Sequence, residues 1–196
     1  MYNRSARSLL VCATVAACGG GCGGTEAAVK TASPGPADVT MALIPAGSAG
    51  SRKAERMTNP SYSACHSSYV MKTQEVVSEV ASMAGGCAAV TRMHPVGPPW
   101  RATQSAAQPP QSWPFKAAAG HCYRVYGAAS SAIKDLDLLV KDSAGAVAGE
   151  DSTDDPTPVV LEDGVVCFKE DDDASVVASV GDGGGAFAVQ LWSDGP

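Results

Sequence analysis

The chain reads as mainly β, and three observations predict it. From about residue 118 onward, short apolar–polar alternations are separated by turn residues, the pattern of half-buried antiparallel strands. Only one stretch, within 58–93, carries helical spacing. Four cysteines, Cys65, Cys87, Cys122 and Cys167, span these two regions in an even number suited to disulfides. The predicted architecture is an antiparallel β-sandwich or barrel over 118–196. It is preceded by a short disulfide-bridged helical segment at 58–93, a Pro-rich connector at 94–117 and a disordered N-terminal tether.

Composition narrows the function classes. The chain has 196 residues and a net charge of −6, with charged residues at 17%. A nucleic-acid binder needs a basic face to displace counterions, so nucleic acid is not expected as a partner. No stretch approaches the ~20 apolar residues of a membrane-spanning helix.

The N-terminus carries an address. Arg4 and Arg7 precede a short apolar run, Leu9–Ala17. That run is too short to span a bilayer and reads as an export signal over 1–17. It ends in Val15-Ala16-Ala17-Cys18, which resembles the lipobox of bacterial lipoproteins: an aliphatic residue, two small residues, then the cysteine that is acylated. The resemblance implies lipidation at Cys18 and a membrane partner through the lipid anchor. Two or more acyl chains give stable anchoring where one does not. Gly19 follows in place of a retaining Asp, which places the expected location in the cell envelope, at the outer membrane. Residues 18–57 are rich in Gly, Ala, Ser and Pro and read as a flexible tether.

In the 58–93 segment Val76, Val77, Val80, Met83 or Ala84, and Cys87 recur at helical spacing. Thr73 is the expected N-cap, and Gly85-Gly86 the expected stop. The connector holds Pro95, Pro98, Pro99, Pro109, Pro110 and Pro114 with Trp100 and Trp113 among them. It reads as a surface segment with packed tryptophans; the competing reading is a polyproline ligand for an aromatic groove.

Seven strands are expected: 121–126, 135–141, 146–149, 158–161, 165–169, 175–181 and 186–192. Gly181-Asp182-Gly183-Gly184-Gly185 lacks the Lys-Ser/Thr of a phosphate loop and reads as a hairpin turn. Cys12 leaves with the signal, and Cys22 lies in the tether. An oxidising compartment then favours two disulfides over a metal site. Cys65–Cys87 and Cys122–Cys167 are the favoured pairs, because each lies within one segment of like composition. The second closes a loop of about 45 residues, worth roughly 4 kcal/mol in the chain-entropy model.

Charge is split along the chain. Residues 135–196 hold 15 Asp/Glu against 2 Lys/Arg. The acids gather in turns and read first as a solvated surface. The alternative is a calcium ion held by Asp135, Asp137, Asp151 and Asp154, since a hard cation relieves converging carboxylates. No other cofactor is expected.

Residues 120–193 resemble the bacterial pre-peptidase C-terminal domain, a jelly-roll-like β-sandwich appended to secreted enzymes. The likeness rests on Asp135-Leu136-Asp137-Leu138, then Asp142-Ser143-Ala144-Gly145, an acidic loop, and Gly185–Leu191 as closing strand. It implies a jelly-roll-like fold, with Asp135 and Asp137 as first calcium candidates. The chain departs from that family in having no catalytic domain ahead of the module. Its layout is also similar to lipoproteins of large-genome soil bacteria such as myxobacteria.

Catalytic patterns are sparse. His66 adjoins Cys65 and His121 adjoins Cys122, but both cysteines have a disulfide fate. No Gly-x-Ser-x-Gly elbow occurs. The expected function is a non-catalytic, envelope-anchored lipoprotein whose β module serves interaction or structure. The alternatives are a calcium-dependent binder of extracellular polysaccharide or protein, and a small hydrolase with an acidic site.

Overall fold

The structure, a computed structural model, describes residues 50–195. Cys18 and the signal, and the tether up to residue 49, lie outside the described residues. The described chain forms a mainly antiparallel β-sheet of nine strands, curled into a near-closed barrel, with two helices. The strands are β1 (Ala54–Thr58), β2 (His94–Pro95), β3 (Trp100–Ser105), β4 (Gln111–Ala117), β5 (Cys122–Ala129), β6 (Ile133–Lys141), β7 (Val147–Glu150), β8 (Gly164–Phe168) and β9 (Asp172–Ser193). The helices are α1 (Pro60–Ala64) and α2 (Val76–Thr91).

β9 organises the sheet. It runs 22 residues and pairs with five other strands. Along one side lie β2, β3 and then β4; along the other lie β5 and then β6. The result is a three-lane ribbon that bends in the middle and folds its two halves over a common core. β7 extends the half built on β6, while β8 and then β1 extend the half built on β5. The two outer strands nearly meet. Ser51 N–H donates to Val147 O at 3.1 Å, and Arg56 Nε donates to Ala148 O at 3.1 Å.

The bend is where the hairpin turn is expected, and the structure corrects that reading. Gly181–Gly185 do not reverse the chain; they carry it round a corner. Gly183 has φ +90°, and a Cβ there would strike the Ala132 carbonyl. At Gly181 it would strike the Asp135 carboxylate, and at Gly185 the Ser130 hydroxyl. Only residues without a side chain let the lanes approach this closely. The expected strands 175–181 and 186–192 are therefore one strand.

The halves bury different amounts. In the half before the corner, β9 alternates buried with half-buried residues, because only its inner face is covered. Beyond it, residues 187–193 are all buried. There Phe187, Val189 and Leu191 face the barrel core with Leu136, Leu138, Val140 and Val176. Ala188 and Trp192 point the other way, under α2, against Val80, Met83 and Cys87.

Three further expectations change. Residues 54–57, expected in the tether, and Thr58, expected in the helical segment, form β1 and pair with β8 from Ala54↔Phe168 to Thr58↔Gly164. The Pro-rich connector is β2, β3 and β4; its prolines are tolerated because these are edge positions, with Pro114 opposite Ser175. Residues 158–161 form only a bridge, Val159↔Tyr126, with Gly127 N–H donating to Pro158 O. The helix also departs from its caps. Glu75 is the N-cap, without a side-chain bond, and α2 runs through Gly85-Gly86 to Arg92 in the left-handed region at φ 58°. Packing of Met83, Ala84 and Cys87 on the sheet outweighs the helix cost of two glycines, about 1 kcal/mol each.

Both disulfides form as paired in the sequence reading. Cys65–Cys87 ties the α1 region to α2. Cys122–Cys167 joins directly opposed residues of β5 and β8.

Candidate functional site

The acidic residues singled out in the sequence gather on the outward face of β6 and the segment after β7. Alternation puts Leu136, Leu138 and Val140 into the core and leaves Asp135 and Asp137 half-buried on the other face. Asp151 follows β7, where its Oδ2 accepts from Leu138 N–H at 2.5 Å and its Oδ1 from Thr153 N–H at 3.2 Å. Asp155 caps its own turn by accepting from Thr157 N–H at 2.6 Å. Asp137 accepts from the Ser179 hydroxyl at 3.3 Å. Asp182 stands opposite Asp135 across a register shift at the corner.

These carboxylates repel one another. Burial pushes the Asp151 carboxyl up to about 7 against its two backbone hydrogen bonds, and the charges of Asp137 and Asp135 add to the rise. Burial pushes Asp135 up to about 6, with Asp137, Asp154, Asp182 and Asp155 adding to it. Asp137 is raised by burial, opposed by Ser179 and reinforced by Asp154. The structure thus brings Asp135, Asp137, Asp151 and Asp154 within electrostatic reach of one another. It does not give them a coordination geometry: among the described residues no three His, Cys, Asp or Glu side chains are grouped to hold a metal ion. The four acids expected from the sequence are not grouped as a ligand set here: Asp151 is oriented by hydrogen bonds from Leu138 and Thr153, and Asp137 by one from Ser179.

Several other polar groups are bound into structure. Ser63 and Glu162 line a cleft of about 580 Å³ beside the gap between β1 and β7, and His66 is nearby. The Ser63 hydroxyl donates to Pro60 O at 3.0 Å, and His66 Nε2 sits 3.0 Å from the Glu162 carbonyl. Neither points at the other as a nucleophile and base would. Cys65 and Cys122 are oxidised, so neither offers a thiolate to its neighbouring histidine. Asp172 is buried, yet its bonds from Lys53 and from the Ser143 hydroxyl and N–H outweigh that burial and lower its pKa.

Two buried charges are absent from the sequence reading. Arg124 is fully buried between the rings of Tyr62 and Tyr126, at 5.3 and 5.4 Å. It donates to the carbonyls of Gly164, Glu162 and Tyr62, which fixes α1 and the 162–164 turn against the barrel. Burial lowers its pKa. Glu79 lies on the apolar face of α2 and is 3% exposed. Burial alone would raise it, but hydrogen bonds from Tyr69, Thr73 and Lys72 win and hold its carboxyl at about 2. The signal for both was visible: a lone charge inside an apolar periodic run.

Trp100 and Trp113 stack face to face, 5.6 Å apart and 4° from parallel, and Trp113 meets Phe187 edge-on. They close the core between the edge strands β3 and β4, as packed tryptophans and not as part of an exposed proline ligand. Among the described residues no helix is long and apolar enough to cross a membrane. The chain matches no known family model and no curated protein.

Proposed function

We propose that the protein is an exported lipoprotein, held at the cell envelope through Cys18, whose jelly-roll-like β module serves interaction or structure and not catalysis. One observation carries the reading: all four cysteines of the described region are paired in two disulfides, a state that belongs to an oxidising compartment. The Val15-Ala16-Ala17-Cys18 motif supplies the anchor, and the family resemblance of the C-terminal half supplies the module type. The groups that could have formed a nucleophile and base are committed to structural bonds, which favours a non-catalytic role. The exposed acids, among them Asp154, Asp173 and Asp182, suit a module that stays soluble at the end of a tether.

The test is metabolic labelling of the full chain with an alkyne-tagged fatty acid in a bacterial host. Wild-type protein should carry the label and fractionate with the envelope, and Cys18→Ser should lose it. Unlabelled wild type, or label retained in Cys18→Ser, overturns the anchor.

A further inference from the structure

The corner of β9 carries an arrangement of charge that anchoring does not use. Asp135 sits at the register shift where β6 meets the corner, opposite Asp182. Its Oδ1 is buried with no hydrogen-bond partner, and its carboxylate occupies the space that a Cβ on Gly181 would fill. Every charged group set against it is an acid. Asp137 faces it from its own strand, Asp182 from β9, and Asp151, Asp154 and Asp155 from the segment after β7. The adjacent cation, Lys134, is turned away and donates to Ser131 O at 2.7 Å. Among the described residues none of these six acids forms an ion pair.

We propose that this corner is a proton-operated joint: uptake of a proton by Asp135 draws the bent β6–β9 pair tight, and loss of that proton loosens the bend. The physical reason is local. An ionised Asp135 holds a buried, unpaired oxygen against five other carboxylates in the tightest part of the sheet, where the backbone has no side chains to yield. Protonation removes the repulsion and turns one oxygen into a donor. Elsewhere the lanes are held by regular ladders and by the core, so the corner is where a change of charge has room to act.

Burial and the surrounding acids place the Asp135 carboxyl at about 6, above its ordinary value of 3.8. The folded state then binds this proton more tightly than the unfolded chain does. The stability deficit is fully present above pH 6 and recedes as the pH falls through 6 toward 4. Glu79 and Asp172 are held below their ordinary values and stay ionised at pH 5, so they do not mask the effect there.

The test compares the full chain with Asp135→Asn, which keeps the shape and removes the charge, both in EDTA. At pH 8 the variant should melt about 3 °C above wild type. Its amides at 131–137 and 180–186 should exchange more slowly. At pH 5, midway between the folded and unfolded values, the difference should fall to about half, and it should shrink further toward pH 4. An equal difference at both pH values overturns the proposal, as does a wild-type Asp135 carboxyl carbon titrating below about 4.5. If Asp135→Asn does not fold, Asp182→Asn removes an exposed neighbour from the same corner. It should lower the Asp135 midpoint, and an unchanged midpoint also overturns the proposal.

Discussion

One strand, β9, passes through two environments, and the contrast between them explains most of this molecule's sequence. Beyond the corner its residues are covered on both faces, by the barrel core on one side and by α2 on the other. There it reads Ala-Phe-Ala-Val-Gln-Leu-Trp, with no charge. Before the corner only the inner face is covered, and it reads Asp-Asp-Ala-Ser-Val-Val-Ala-Ser-Val, with small or polar residues on the open face. The acids of β6 and of the segment after β7 belong to the same bare half. The acids of β6, of β9 before the corner and of the segment after β7 therefore lie on the part of the sheet that no helix covers. The charge split along the chain does not mark a separate domain.

The largest effect should come from the doubly covered half. Phe187 is fully buried, so Phe187→Ala should cost about 4 kcal/mol in urea denaturation. Ser175→Ala, on the open face of the other half, should stay within about 0.5 kcal/mol. Comparable losses at the two positions would break the contrast.

Next is the buried carboxylate beneath the helix. Glu79→Gln keeps the shape but weakens the bonds from Tyr69, Thr73 and Lys72, and should cost about 2 kcal/mol at pH 7. Because Glu79 is held at about 2, below its ordinary 4.5, its contribution is complete above pH 4.5 and is lost as the pH falls toward 2. The difference between wild type and variant should shrink over that interval. A constant difference would mean that the fold does not hold the Glu79 carboxyl below its ordinary value.

The smallest effect has the opposite sign and belongs to the bare half. Asp151→Asn retains an acceptor for Leu138 N–H and removes a charge whose pKa is raised to about 7. Its melting temperature should exceed that of wild type by about 1 °C at pH 8, with the gain shrinking as the pH falls from 7 toward 4. The contribution of Glu79 should thus change below pH 4.5, and that of the acidic half between about pH 4 and pH 7.

Much of this was legible in the sequence. The alternation at Asp135-Leu136-Asp137-Leu138 placed β6 and its faces correctly, because a half-covered strand writes its burial in period two. Both disulfides followed from segment composition. What was missed has physical causes. Residues 54–58 and 100–105 are edge strands with little apolar content, so they carry no signal that separates them from linkers. Gly181–Gly185 has the composition of a tight turn, and glycine serves a bend as well as a reversal; only the partners beyond it decide which. Helix α2 outran its glycines because its packing lies on both sides of them. At the site, sequence clustering put the acids together but could not reveal that Asp151 is held by the backbone of Leu138 and Thr153 and Asp155 by that of Thr157.

The position of β9 also sets an order of assembly. The strand that joins β2, β3, β4, β5 and β6 follows all of them in the chain. A polypeptide emerging N-terminus first can pair β1 with β8, β8 with β5 and β6 with β7, but it cannot join these two groups until residue 172 has passed.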